Sequence, residues 1–226
     1  MTEGCKILVN GAWKEVQSGY VLIDGVWKPL KKAYKLMSGA WEPVNLLPFI
    51  LQLGLSDALI SIPAQNDATW TLRSADITPY IGATVRLVIR YLNGNSQYGD
   101  VQLDDFNIGG TTYDPENGLN SFLTNTNLGS PYNLTFGDVT WRNLGTGTTA
   151  GRWNRDNNGT PTASTGNTSG KTGNYYYYAE SSSYFNNYMW LMSPPVVVSN
   201  GTLSFYSAQN GTNCGAIEAY LYIENI

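Results

Sequence analysis

A seven-residue unit recurs three times in the first 44 residues: NGAWKEV at Asn10, DGVWKPL at Asp24 and SGAWEPV at Ser38. The spacing places Trp13, Trp27 and Trp41 at a period of 14 residues. Each unit opens on Asn-Gly, Asp-Gly or Ser-Gly, with short alternating runs such as YVLI at Tyr20 and YKLM at Tyr34 in between. Asn and Gly tolerate the left-handed backbone that a two-residue hairpin loop demands. Residues 1–45 therefore predict three hairpins in a six-strand meander. So short a meander buries too little apolar surface to stand alone, so it should lean on the rest of the protein or on another chain. Trp13, Trp27 and Trp41 then either build a miniature core or, with Lys28, Lys31 and Lys32, form a protein interface. A solvated face is the alternative for the three lysines.

Beyond Val44 the pattern weakens, and residues 46–66 read as a linker. Eight runs then look like strands: Thr69–Leu72, Thr84–Tyr91, Val101–Ile108, Phe136–Arg142, Tyr175–Ala179, Met189–Met192, Gly201–Ser207 and Ala216–Ile223. Clusters of Gly, Asn, Pro and Ser bound them, and no segment shows a 3.6-residue apolar period. The expected fold is all-β, a hairpin meander followed by a jelly-roll sandwich over residues 67–226. Between Gly145 and Gly173 lies a long stretch of Gly, Thr, Asn and Ser in which Trp153 is the single large apolar side chain. A polar loop pinned by one aromatic is built either for structure or for surface recognition.

Charge and composition exclude several functions. Thirteen Lys and Arg stand against 17 Asp and Glu, a net charge of −4, so the basic footprint of a nucleic-acid binder is missing. With no histidine, His-based triads and the commonest zinc and iron sites are excluded. The expectation is a protein that is not an enzyme. Cys5 and Cys214 lack metal or redox spacing and read as free thiols. The N-terminus lacks a signal-peptide pattern, and the most apolar window, LLPFILQLGL at Leu46, is too short to span a membrane. A soluble product of a reducing cytosol is expected.

The run GDVQLDDFNI, from Gly99 to Ile108, sets two aspartates side by side in an alternating strand. Strict alternation puts Val101, Leu103 and Asp105 on one face and Gln102, Asp104 and Phe106 on the other. The aspartates should then diverge, which rules out one close acid–base pair. One of them should point inward, where an unpaired carboxylate is costly. Alternation also divides the run Tyr175–Tyr178, with one pair packed inside. Tyr176 and Tyr178, together with Trp153, are the candidates for a surface that recognises sugars or another protein.

Taken together, WTLR at Trp70, DITPYIG at Asp76, TVRLVIRY at Thr84 and YGDVQLDDFNI at Tyr98 resemble the closing half of a MAM domain, a jelly-roll module. GRWNRDNNGTP at Gly151, YYYYAESS at Tyr175, WLMSPPV at Trp190, GTLSFY at Gly201 and GAIEAYLYI at Gly215 resemble its opening half, in reverse order. The resemblance implies a circularly permuted sandwich whose natural join lies near Tyr222, reaching back toward Trp70. It also implies a bound cation, for which Asp100, Asp104, Asp105 and Glu180 are the oxygen ligands and Ca²⁺ the ion. No cofactor is otherwise required, and pairing of the buried carboxylate with Arg86, Arg90 or loop amides is the alternative. The N-terminal repeat is similar to segments in structural proteins of tailed bacteriophages. That similarity implies a virion surface protein of the capsid decoration or cement type. Its partners would be the major capsid protein or other virion proteins and sister copies of the chain, with no nucleic acid or membrane. The alternative is a tail-fibre or receptor-binding module that recognises host glycans.

Overall fold

The computed structural model describes the paired strands between Lys6 and Val44, and residues 54–127, 142–146 and 150–223. Side chains are described for residues 56–124, 142–146 and 150–223. The chain divides into two compact units, residues 1–53 and 54–226, each considered by itself.

In the first unit the three repeats form three hairpins in one shared register. Strands β1 (Lys6–Val9) and β2 (Ala12–Gln17) pair with Leu8 opposite Trp13. Strands β3 (Tyr20–Ile23) and β4 (Val26–Pro29) repeat this with Leu22 opposite Trp27. Strands β5 (Ala33–Met37) and β6 (Ala40–Val44) do so with Leu36 opposite Trp41. The expected six-strand meander is corrected in one respect. β1 to β4 form a four-stranded sheet, β5 and β6 a separate hairpin, and no pairing joins β4 to β5 among the described residues. Pro29 is the last residue of β4, where its missing N–H removes one ladder donor.

The second unit is a two-sheet β-sandwich. Its strands in chain order begin with β7 (Gly54–Leu55), β8 (Ile60–Ile62), β9 (Asp67–Asp76), β10 (Thr84–Leu92) and β11 (Val101–Ile108). They continue with β12 (Thr111–Tyr113), β13 (Leu123–Asn127), β14 (Arg142–Asn143), β15 (Gly145–Thr146) and β16 (Trp153–Asp156). The last are β17 (Tyr176–Ala179), β18 (Tyr188–Met192), β19 (Val196–Val197), β20 (Thr202–Gln209) and β21 (Ala216–Ile223). One sheet runs β14-β13-β18-β10-β21-β7, with β8 also on β21 and β19 on β10. The other runs β15-β16-β17-β11-β20-β9, with β12 on β11. Of the expected strand Phe136–Arg142, residues 136–141 lie outside the described residues.

Residues 46–66 are not linker throughout. Ile60 and Ile62 are buried with Ser61 exposed between them, and β8 joins the ladder of β21. The run is only three residues long, too short for its alternation to stand out in the sequence. Ile223 pairs with Gly54 and Tyr222 with Leu55, so the two ends of the sandwich are register neighbours. A permuted chain would need such closeness, and the strand that Tyr222 meets is β7 at Gly54–Leu55, not the one that carries Trp70.

The core lies between the sheets because alternation delivers it there. On β21, Ile217, Ala219, Leu221 and Ile223 are buried, and on β10 so are Val85, Leu87, Ile89 and Tyr91. Each such aliphatic side chain contributes about 1.5–3 kcal/mol when fully buried, an upper estimate for any one site. Between the sheets, Tyr91 of β10 meets Trp153 of β16 edge to face at 6.3 Å.

Candidate functional site

The carboxylates of the GDVQLDDFNI run lie on the outer face of the second sheet, under the polar stretch that follows β16. Burial on β11 does not follow strict alternation, because the pairing of β11 with β20 shifts between Asp104 and Asn107. Asp105 sits at the shift with φ +49°, the left-handed conformation of a bulged residue. One extra residue flips the phase. Val101 and Leu103 point into the core before it, and Phe106 and Ile108 after it, so Asp105 is half-buried instead of facing inward. The expected divergence of the two aspartates is therefore wrong. Carboxylate oxygens of Asp104, Asp105 and Asp114 all lie within 4.8 Å of one another.

Asp104 is fully buried, and its oxygens accept from three backbone N–H groups. Lys171 and Thr172 donate to Oδ2 at 2.6 and 3.3 Å, and Asp105 donates to Oδ1 at 2.8 Å. Burial, and then the charge of Asp105, push its carboxyl up to about 7 despite these donors. Gly170 lets the loop come this close, since a Cβ there would lie 2.7 Å from Asp104 Oδ2 and 2.5 Å from the Tyr175 carbonyl oxygen. Thr172 Oγ1 donates to Asp105 Oδ2 at 2.6 Å. Of the partners expected for a buried carboxylate, loop amides are the ones found here. Arg90 instead pairs with Glu218, and Arg86 donates to the Ser193 carbonyl at 3.2 Å.

The loop covers more than the acids. Gln102 Nε2 donates to the Asn167 carbonyl at 2.9 Å, the Gly166 N–H to the Asn210 carbonyl at 2.7 Å, and the Tyr176 hydroxyl to the Gly159 carbonyl. Tyr176 and Tyr178 are consequently buried although they point away from the core, while Tyr177 packs inward against Phe106 and Phe122. Trp153 is 0 % exposed. The expectation that Trp153, Tyr176 and Tyr178 form a recognition surface is therefore corrected. Composition identified the loop as too polar for core, but polar backbone can roof a sheet when side chains such as Gln102 and Asp104 meet its amides.

The four expected cation ligands divide between two places. Asp100, just before β11, and Asp104, within it, lie four residues apart in extended chain, about 13 Å, so one ion cannot touch both. Asp104 and Asp105 join Asp114, which precedes Pro115 and caps the short turn there by accepting from the Glu116 N–H at 2.7 Å. Its Asp-Pro dipeptide is the signal that sequence reading passed over.

Asp100 joins Glu180, the residue after β17. Asp100 is fully buried, accepts from the Ser181 N–H at 2.9 Å and lies 3.2 Å from Thr165 Oγ1. Burial first, and the Glu180 charge second, push its carboxyl up to about 6. Glu180 is 1 % exposed, and while the Ser182 N–H donates to Oε1 at 3.0 Å, Oε2 is buried with no hydrogen-bond partner. Ser181 Oγ is likewise buried without one. Orphaned oxygens beside a second carboxylate are the donor set a hard cation takes. Asp100, Glu180 and Ser181 would hold Ca²⁺, which would supply cross-linking of the two segments rather than reaction chemistry.

Cys214 is free and buried, and its thiol donates to the Asp100 carbonyl at 3.3 Å. Burial, and then the charge of Asp100, raise it to about 12. Alkylation without reductant at about pH 8 should leave Cys214 unmodified in the native protein and label it on unfolding. Prompt native labelling would contradict this burial. Cys5 lies outside the described residues, as do Lys31, Lys32 and the side chains of Trp13, Trp27, Trp41 and Lys28. No helix among the described residues is long and apolar enough to cross a membrane. No protein family, curated protein or solved structure matches this chain.

Proposed function

We propose that this chain is a non-catalytic structural protein of a tailed-bacteriophage virion surface, a decoration or cement protein that stabilises the capsid. The observation that carries the reading is the N-terminal unit: three hairpins with one register, Leu8–Trp13, Leu22–Trp27 and Leu36–Trp41, compact apart from the sandwich. A repeated hairpin sets Leu opposite Trp at the same register position three times, which suits a repeating lattice of coat subunits or sister copies. Trp13, Trp27, Trp41, Lys28, Lys31 and Lys32 are the proposed contacts, and the sandwich is the displayed part. A non-catalytic role is supported by the absence of histidine and by the condition of the buried acids. Asp100 and Asp104 are fully buried, with their oxygens engaged by loop groups rather than open to substrate.

Deleting residues 1–44 should leave a folded sandwich that no longer associates with particles. Copy number separates the decoration reading from a fibre, since a decoration protein should number hundreds per particle on a stained gel of purified virions. A truncated protein that binds capsids at unchanged occupancy would overturn the anchor assignment.

A further inference from the structure

Beside the buried Asp100–Glu180 pair, three loops border an open pocket of about 350 Å³ lined by Gln97, Tyr98, Pro161, Thr162, Ala163 and Ser182. Its size falls at the lower end of small-molecule sites, about 300–1,000 Å³, which suits a mono- or disaccharide. None of the six lining side chains carries a charge at neutral pH, so none of them would pair with a charged ligand. Tyr98, 42 % exposed, offers an aromatic surface that an apolar ligand face can cover. Gln97 supplies an amide that both donates and accepts, and Thr162 and Ser182 supply two hydroxyls.

Those hydroxyls lie 3.3 Å apart, well beyond the 2.7–2.8 Å typical of O–H···O bonds. A weak mutual bond leaves both free to exchange partners with a ligand hydroxyl. The walls are nevertheless fixed from beneath. The Ser182 N–H is held by Glu180 and the Ser181 N–H by Asp100. Thr165 Oγ1 lies 2.7 Å from the Thr162 carbonyl oxygen, and the Asn213 N–H donates to the Tyr98 carbonyl at 3.0 Å. A pocket ordered before binding does not pay that entropy on association.

We infer that this pocket binds a neutral sugar, with the Tyr98 ring covering its apolar face and Gln97, Thr162 and Ser182 sharing its hydroxyls. The inference does not depend on where the protein resides, so the isolated full-length chain tests it. Methyl glycosides of glucose, galactose, mannose and N-acetylglucosamine, with sialyllactose as the charged comparator, would be titrated while backbone amide resonances are followed. At about 10 mM, ten times a Kd of about 1 mM, at least one neutral glycoside should give saturating shifts at Gln97, Thr162 and Ser182. Y98A should weaken that binding at least tenfold and Y98F less than threefold. S182A, which leaves the ring in place, should weaken it severalfold and keeps the test available if Y98A does not fold. Absence of shifts with every neutral glycoside, a preference for sialyllactose, or binding unchanged in the variants would overturn the inference.

Discussion

Replacing Trp153 by alanine should lower the stability of the sandwich by about 3–5 kcal/mol, the range for removing a large aromatic from a packed core. For a unit of this size that corresponds to about 6–20 °C in melting temperature. The magnitude follows from what the side chain does. Its indole N–H donates to the Met189 carbonyl at 3.2 Å, its ring meets Tyr91, and its backbone N–H donates to Thr124 Oγ1 at 3.0 Å. Alanine would leave a cavity between the sheets and remove the indole bond to the Met189 carbonyl. Phenylalanine, which keeps most of the volume but not the donor, should cost about 1–2 kcal/mol. Thermal and urea unfolding would measure both. An alanine variant with an unchanged midpoint would return Trp153 to the surface role that its isolation in a polar stretch suggests.

The contrast between Trp153 and the repeats shows which signals a sequence carries. A hairpin is local: two loop residues and the flanking alternation specify it, and all three registers follow from the spacing of Gly11, Gly25 and Gly39. Strands β10, β11, β20 and β21 are long enough to read directly, and with them the two-sheet architecture. What escaped was non-local or a matter of one residue. The bulge at Asp105 inverts every later side chain on β11, yet an aspartate in left-handed conformation leaves no mark in the sequence. The burial of Tyr176 and Tyr178 depends on a loop folding back over the sheet, which the composition of that loop did not suggest. Glu180 was legible as an acid next to a strand, but the orphaned oxygen that makes it a candidate ligand appears only when its neighbours are placed.

With cations removed by chelator, the protein should become less stable as pH rises from about 4 to about 7, the reverse of ordinary acid denaturation. Asp100 is raised to about 6 and Asp104 to about 7, both by burial first. The folded state therefore holds more protons than the unfolded chain between their ordinary value near 4 and these raised values. Stability falls with pH wherever the native state binds the extra proton. The full effect is present below about pH 4 and lost above about pH 7, and the two groups together give at most about 7 kcal/mol. Asp67 and Asp76 act in the opposite sense and in another window. The Thr69 backbone N–H holds the first and Thr78 the second below the usual range, so their contribution is lost only as pH falls below about 4. D104N should flatten the upper part of the curve. Ca²⁺ should then offset part of the loss near pH 8, because binding at the Asp100 and Glu180 carboxylates stabilises the native state by about 2.7 kcal/mol at a hundredfold excess over Kd. E180Q should abolish that rescue while leaving the titration of Asp104 in place. Stability that rises through this pH window in chelator would overturn the burial of the two acids. A Ca²⁺ response that survives in E180Q would place the ion elsewhere.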